Sequence, residues 1–161
     1  DARHYGITRT IAETERLLIR EFTTKDKVDI FPDISVDPEF TEKYIEKMYG
    51  FFGYGIWALI SKQNSSIIGR AGVYNREGYD GLEIGYEIDG PYKGRGLASE
   101  ACTAILQYVH DKLFQNEIYA MIEAENRISE KFIKKLGFIY TGTYDGYNRY
   151  RKYLTAENKR V

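Results

Sequence analysis

Apolar residues change period several times along this chain, and each change marks an element. Leu82, Ile84, Tyr86 and Ile88 alternate with Glu83, Gly85, Glu87 and Asp89, the period-two pattern of a strand. Glu15–Phe22, Ile56–Ser61, Ile67–Tyr74, Ile118–Glu123, Phe138–Tyr144 and Tyr147–Leu154 are rich in branched and aromatic residues and also predict strands. Lys62–Ser66 predicts a short hairpin connection, and Asp145-Gly146 a tight turn between the last two strands. Elsewhere the spacing is helical. Ala98, Ala101, Ile105, Tyr108, Val109 and Leu113 keep it over Leu97–Leu113. Ile45, Met48, Tyr49 and Phe52 keep it in a helix opened by Asp37-Pro38. Ser129–Leu136 predicts a short helix stopped by Gly137. Thr24 and Asp26 predict a cap for another over about Lys25–Phe31, ended by Pro32.

The predicted order is β α α β β β α β α β β. The strand–helix–strand over residues 82–123 allows one parallel crossover, expected to be right-handed. The remaining strands suit antiparallel pairing. The fold class is therefore mixed α/β, or α+β, in one domain covering residues 1–161.

Charge and composition narrow the function. With 23 basic and 24 acidic residues the net charge is −1, so no general field draws nucleic acid or an anionic membrane, and neither is expected as a partner. A single cysteine, Cys102, excludes an intrachain disulfide framework and favours a reducing, cytoplasmic setting. No apolar run approaches the length of a membrane span, and the opening DARHYGITRT carries no hydrophobic signal region. Metal-ligand spacing, a Cys-His pair and a Ser-His-Asp arrangement are all missing, so neither a metal nor a covalent enzyme intermediate is expected. Fifteen tyrosines are unusual. They suit sheet packing, and a subset suits a polar groove.

Candidate chemistry concentrates in Tyr92-Lys93-Gly94-Arg95-Gly96-Leu97-Ala98. Glycines let backbone approach a ligand closely, and a helix N-terminus presents unpaired amides and partial positive charge. Together they make an anion cradle, most often for phosphate. A P-loop would need Gly-Lys-Ser/Thr, which is absent. A dinucleotide fingerprint would need a third glycine where Ser99 stands.

A third pattern fits. Lys93-Gly94-Arg95-Gly96-Leu97-Ala98 resembles the pyrophosphate motif Gln/Arg-x-x-Gly-x-Gly/Ala of the GNAT superfamily of acyl-CoA-dependent N-acetyltransferases, with Lys at the opening place. Glu83-Ile84-Gly85-Tyr86, Glu125-Asn126-x-x-Ser129 and Lys135-Leu136-Gly137-Phe138 flank it in family order. The chain resembles the RimJ/RimL-like group from Thr14–Arg20 to the final hairpin. The resemblance implies a mainly antiparallel central sheet with one splayed parallel pair and flanking helices. It implies acetyl-CoA as cosubstrate, its pyrophosphate on the amides of about Arg95 to Ala98 and its pantetheine in the splay. Glu87 and Ile88 would supply backbone contacts there. Asn126 is either a pantetheine ligand or a turn or helix-cap residue, and Ser129 completes that motif.

Acetyl transfer to an amine needs a proton acceptor, an oxyanion donor and an exit for the thiolate. Glu83 is the leading candidate base, with Glu87 and Asp89 as rivals; a salt-bridged strand glutamate is the plain alternative. The Glu87 N–H suits an oxyanion if the strand is bulged there. The family's usual acid, a tyrosine on the helix before Leu-Gly-Phe, is Ile133 here, which leaves Ser129, a water or no acid at all. The implied partner is an amine, either a small molecule or a protein N-terminus. Relatives often dimerise, so a homodimer stays open. A non-catalytic acyl-CoA-binding sensor or interaction module is the alternative that Ile133 motivates.

Overall fold

The computed structural model describes residues 8–26, 30 and 38–156. The chain enters as two short strands, β1 (Thr10–Glu13) and β2 (Leu17–Arg20), paired antiparallel. The strand expected over Glu15–Phe22 is present as the shorter β2, and β1 is an additional strand before it. Thr14 turns the chain: its N–H donates to the Leu17 carbonyl at 2.9 Å, and its Oγ1 accepts from the Leu17 N–H at 3.0 Å. Only Ile11 of β1 is buried, so β1 shows little apolar alternation.

Helix α1 (Pro38–Tyr44) runs into a π-helical stretch, Ile45–Phe52, closed by the Gly53 N–H on the Met48 carbonyl, five residues back. The helix expected from Pro38 to Phe52 is present, with a wider second half. Of the helix expected over about Lys25–Phe31, residues 25 and 26 lie in or beside a turn in which Asp26 accepts from the Thr23 N–H at 2.7 Å; residues 27–29 and 31 lie outside the described residues.

Strands β3 (Ile56–Ser61), β4 (Ile67–Tyr74) and β5 (Glu83–Ile88) follow. A short 3₁₀ turn, Gly90–Tyr92, and the glycine loop lead into α2 (Leu97–Asp111). Then come β6 (Glu117–Glu123), α3 (Arg127–Lys135), β7 (Ile139–Tyr144) and β8 (Tyr147–Tyr153). The sheet order is β1-β2-β3-β4-β5-β6-β8-β7. Every pair is antiparallel except β5–β6, as the crossover predicts. The sheet, mostly antiparallel with one parallel pair and flanked by helices, is of the expected mixed α/β class.

Alternation sorts the side chains into two faces. On one face Leu17, Ile19, Trp57, Leu59, Val73 and Ile84 join α2 residues such as Ala101, Ile105 and Val109 in the main core. The Trp57 ring meets Tyr108 edge-on at 5.4 Å. Ile133 of α3 is fully buried in the same core. Ile56, Ala58 and Ile60 point the other way, into a smaller cluster with Phe22 and Ile30. On that second face, next to β5, lie the polar residues of the candidate site.

Candidate active site

The parallel pair sets the geometry. Strands β5 and β6 share one register pair, Glu83 with Tyr119, and the Tyr119 N–H donates to the Leu82 carbonyl at 2.9 Å. Past this point they diverge. Register with β4 decides which backbone groups face the gap. The Asp89 N–H donates to the Ile68 carbonyl at 2.8 Å, and the β4–β5 pairing runs unbroken from there to Glu83. Hydrogen-bonded and non-hydrogen-bonded pairs alternate along an antiparallel ladder. Asp89, Glu87, Gly85 and Glu83 therefore bond to β4, whereas Ile88 and Tyr86 turn their N–H and C=O toward the gap. The same argument from Leu154 N–H on the Asn116 carbonyl places the backbone of Met121 and the N–H of Glu123 on the opposite wall; the Glu123 carbonyl accepts from the Asn126 N–H at 2.9 Å. The regular register shows no bulge at Glu87. Its N–H serves β4, and the gap-facing backbone contacts fall to Tyr86 and Ile88.

At the head of the gap, Gly94 and Gly96 both take φ of +77°, open to glycine at little cost. The helix begins on Gly96 with no side-chain cap. The Tyr92 and Lys93 N–H groups are spent on the 3₁₀ turn, while among the described residues the amides from Gly94 to Ser99 have no protein acceptor. Lys93, Gly94, Arg95 and Gly96 are exposed, Leu97 anchors the turn in the core and Ala98 is half-buried. A clamp from the other end of the sheet fixes this cradle. Arg16 donates through Nη1 to the Arg95 carbonyl at 2.8 Å and through Nε to Glu100 Oε1 at 2.7 Å. The Arg16 N–H and Thr14 Oγ1 both donate to Glu100 Oε2, at 2.9 and 2.5 Å. Burial alone would raise the Glu100 carboxyl, but these bonds from Thr14 and Arg16 hold it below the usual glutamate value. Sequence reading missed the clamp, whose halves lie 84 residues apart.

Asn126 caps α3, its Oδ1 accepting from the Ser129 N–H at 3.1 Å. The cap reading is thus realised, and Nδ2 makes no hydrogen bond among the described residues. Glu83 is 3% exposed and engaged on both oxygens. Tyr74 Oη donates to it at 2.9 Å, Arg76 Nη2 at 2.7 Å and Arg76 Nε at 3.0 Å. Gly85 makes room: a Cβ there would stand 2.9 Å from the Tyr74 ring. Burial first, then the adjacent carboxylate, push the Tyr74 phenol up, so it stays a donor. Glu87, by contrast, is half-exposed, and its side chain makes no hydrogen bond among the described residues. Arg70 faces it from the neighbouring strand β4 with Nη1 3.8 Å from Oε1, and Asp89 follows on the same side at 3.6 Å.

The segments framing this face are tied together. Tyr54 Oη bonds Asn75, and Asn75 Nδ2 donates to the Gly81 carbonyl at 3.2 Å. Tyr79 Oη donates to Asp145 at 3.1 Å, and Arg149 Nη2 to the Asp80 carbonyl at 2.5 Å. Tyr144 and Tyr147 sit at that hairpin, and Tyr140 packs on Tyr150. Cys102 is buried in the core, and its thiol is pushed up to about 12 by burial. Among the described residues no helix is long and apolar enough to cross a membrane.

An opened parallel pair with an amide cradle at its head is acyltransferase architecture, and comparison with known proteins supplies the family. The family model described as Acetyltransferase (GNAT) domain matches residues 16–139, and the chain belongs to that family. It is 32% identical over 143 residues to the uncharacterized N-acetyltransferase YnaD of Bacillus subtilis, covering 81% of this chain and 84% of that one. Among solved structures, a putative GnaT-family acetyltransferase from Bordetella pertussis superposes with TM-score 0.72 at 20% identity, over 89% of this chain and 99% of that one. RimL, a ribosomal L7/L12 α-N-protein acetyltransferase in complex with coenzyme A, gives 0.72 at 16%, over 92% and 100%. A putative acetyltransferase, yncA, from Salmonella typhimurium, with its cofactor acetyl-CoA, gives 0.66 at 16%, over 89% and 97%.

Proposed function

We propose that this chain is an acetyl-CoA-dependent N-acetyltransferase of the RimJ/RimL-like group, working in the cytoplasm and moving acetyl directly to a primary amine. One observation carries the reading: unpaired backbone of Tyr86, Ile88 and Met121, with the N–H of Glu123, lines the gap that the cradle of residues 94–99 heads. An extended pantetheine would add to these strand edges as a peptide does, and a pyrophosphate would meet the cradle. Family relatives that hold coenzyme A or acetyl-CoA support this use.

The amine arrives as an ammonium, with pKa about 10 for a lysine-like amine and about 8 for a peptide N-terminus, and must shed a proton before attack. Glu87 is the fitting proton acceptor because it is exposed, lies on the second sheet face, which we take as the side the amine approaches, and makes no hydrogen bond among the described residues. Glu83 is occupied by Arg76 and Tyr74 and acts as an anchor. The nitrogen bonds to the thioester carbon, and the oxyanion takes a gap-facing N–H of Ile88 or Tyr86. The adduct loses its second N–H proton, the C–S bond breaks, and CoA leaves as thiolate. Net, one proton ends on the CoA sulfur and one in solvent. Ile133 carries no hydroxyl, so the thiolate leaves without a tyrosine acid.

The test is thiol release from acetyl-CoA over a panel of amines and N-terminal peptides, for wild type, Gly96→Glu and Glu87→Gln. Amine-dependent release, lost in Gly96→Glu and strongly reduced in Glu87→Gln, is expected. Tight acetyl-CoA binding with no release for any amine would favour a non-catalytic binding module, the reading that Ile133 and the occupied Glu83 support.

A further inference from the structure

Arg70 is 7% exposed, in the middle of the sheet on the acceptor face. A buried guanidinium normally spends its fork on paired carboxylates or carbonyls. Here Nε and Nη1 are sealed from solvent and have no hydrogen-bond partner among the described residues. The nearest carboxylate oxygens, on Glu87 and Asp89, stand 3.8 and 3.6 Å from Nη1, beyond hydrogen-bond range. Those two side chains are 51% and 40% exposed, and neither makes a hydrogen bond among the described residues. Leaving charged, buried donors unmatched is costly. The trio has net charge −1, with donors waiting on Arg70 and acceptors waiting on Glu87 and Asp89.

A ligand that answers both halves carries an ammonium beside an anionic oxygen pair. A diamine supplies donors alone and sets a second cation against Arg70. A peptide N-terminus offers only a neutral carbonyl to the guanidinium. An α-amino acid presents its ammonium and its carboxylate a few atoms apart. Glu87 and Asp89 are the exposed members, with no hydrogen bond among the described residues to hold them, so a turn of either side chain toward the ammonium uncovers the fork.

We propose that Arg70, with Glu87 and Asp89, selects an acceptor that carries its own carboxylate next to the amine, so that the amine acetylated is that of a free amino acid. This rests on the acetyltransferase reading above and narrows its acceptor. The chemistry is unchanged: the amine nitrogen gains the acetyl carbon, the C–S bond breaks, and the carboxylate is a handle that does not react.

The experiment measures thiol release by the full chain with the twenty amino acids, their α-amides, 1,4-diaminobutane and short peptides, alongside acetyl-CoA binding. Release with one or more free amino acids is expected, falling about ten- to hundredfold in kcat/KM when the carboxylate is masked as the amide. Arg70→Met should raise KM for the free amino acid by a similar factor, leave KM for the amide unchanged, and leave acetyl-CoA affinity intact. Arg70→Lys keeps the charge without the fork and should recover part of the loss, which also serves if the methionine variant folds poorly. Preference for the diamine or a peptide overturns the proposal. So does an equal effect of Arg70→Met on acid and amide, which marks a structural cation only. Acetyl-CoA binding with no release for any amino acid overturns it too. Failure to bind acetyl-CoA at all defeats the acetyltransferase reading instead.

Discussion

Glu83→Gln separates an anchor from a base. In the folded protein the Glu83 carboxylate receives Tyr74 Oη and two nitrogens of Arg76, and its side chain is 4% exposed against 31% for Arg76. Glutamine keeps the shape but removes the charge and turns one oxygen into a donor facing donors. Breaking a buried pair from one side costs about 3–5 kcal/mol. Arg76 is nearly one-third exposed, so water recovers part of its solvation, which leaves about 2–3 kcal/mol. For a chain of this size each kcal/mol lowers Tm by about 2–4 °C, so a fall of roughly 4–12 °C is expected. Urea unfolding should show a lower midpoint at unchanged m-value. Combining Glu83→Gln with Arg76→Met should recover part of the loss, as coupled neighbours do. At a temperature where the variant is folded, thiol release should fall no more than a few-fold. Unchanged stability together with a hundredfold loss of turnover would refute this reasoning and return the base to Glu83.

Three further outcomes follow from the same contacts. Gly96→Glu sets a side chain at φ +77° and a carboxylate in the cradle, and calorimetry should show acetyl-CoA affinity down by at least about a hundredfold. The Glu100 carboxyl is held below its ordinary value of 4.5, so the clamp's stability is complete above that value and is lost as pH falls through the lower folded value; Glu100→Gln should lower stability at pH 7 and flatten the acid limb of the stability profile. Cys102, raised to about 12 by burial, should resist a disulfide exchange reagent at pH 8 in the native protein and react only on denaturation, so it adds no background to thiol-release assays.

Legibility in the sequence followed how local each cause is. Alternation in residues 82–89 announced β5, and Asp145-Gly146 announced its hairpin, whose residues take φ of +50° and +82°. The cradle was readable because its glycines and the helix start are contiguous. Strand β1 was not, because an edge strand with one buried residue carries almost no period. Which amides face the gap depends on register with β4, fixed by Asp89 on Ile68, and no residue of β5 reveals that parity by itself. The Arg16–Glu100 clamp and the burial of Arg70 are products of strand order and packing. Arg70 reads in sequence as one polar residue among small ones, and only the sheet shows what surrounds it. Glu83 was visible as a chemical residue, while Arg76 and Tyr74, which occupy it, looked like ordinary loop and strand positions.

The most direct test of the account is residue-resolved amide exchange of the full chain with and without acetyl-CoA. The amides of Tyr86, Ile88, Met121 and Glu123 should exchange fast in the free protein, and those of Gly85 and Glu87 slowly behind β4. Acetyl-CoA should protect Tyr86 and Ile88, together with the amides from Gly94 to Ser99, and leave Gly85 and Glu87 as they were. Protection elsewhere, or none at these positions despite binding, would contradict the gap and its cradle as the acyl-CoA site.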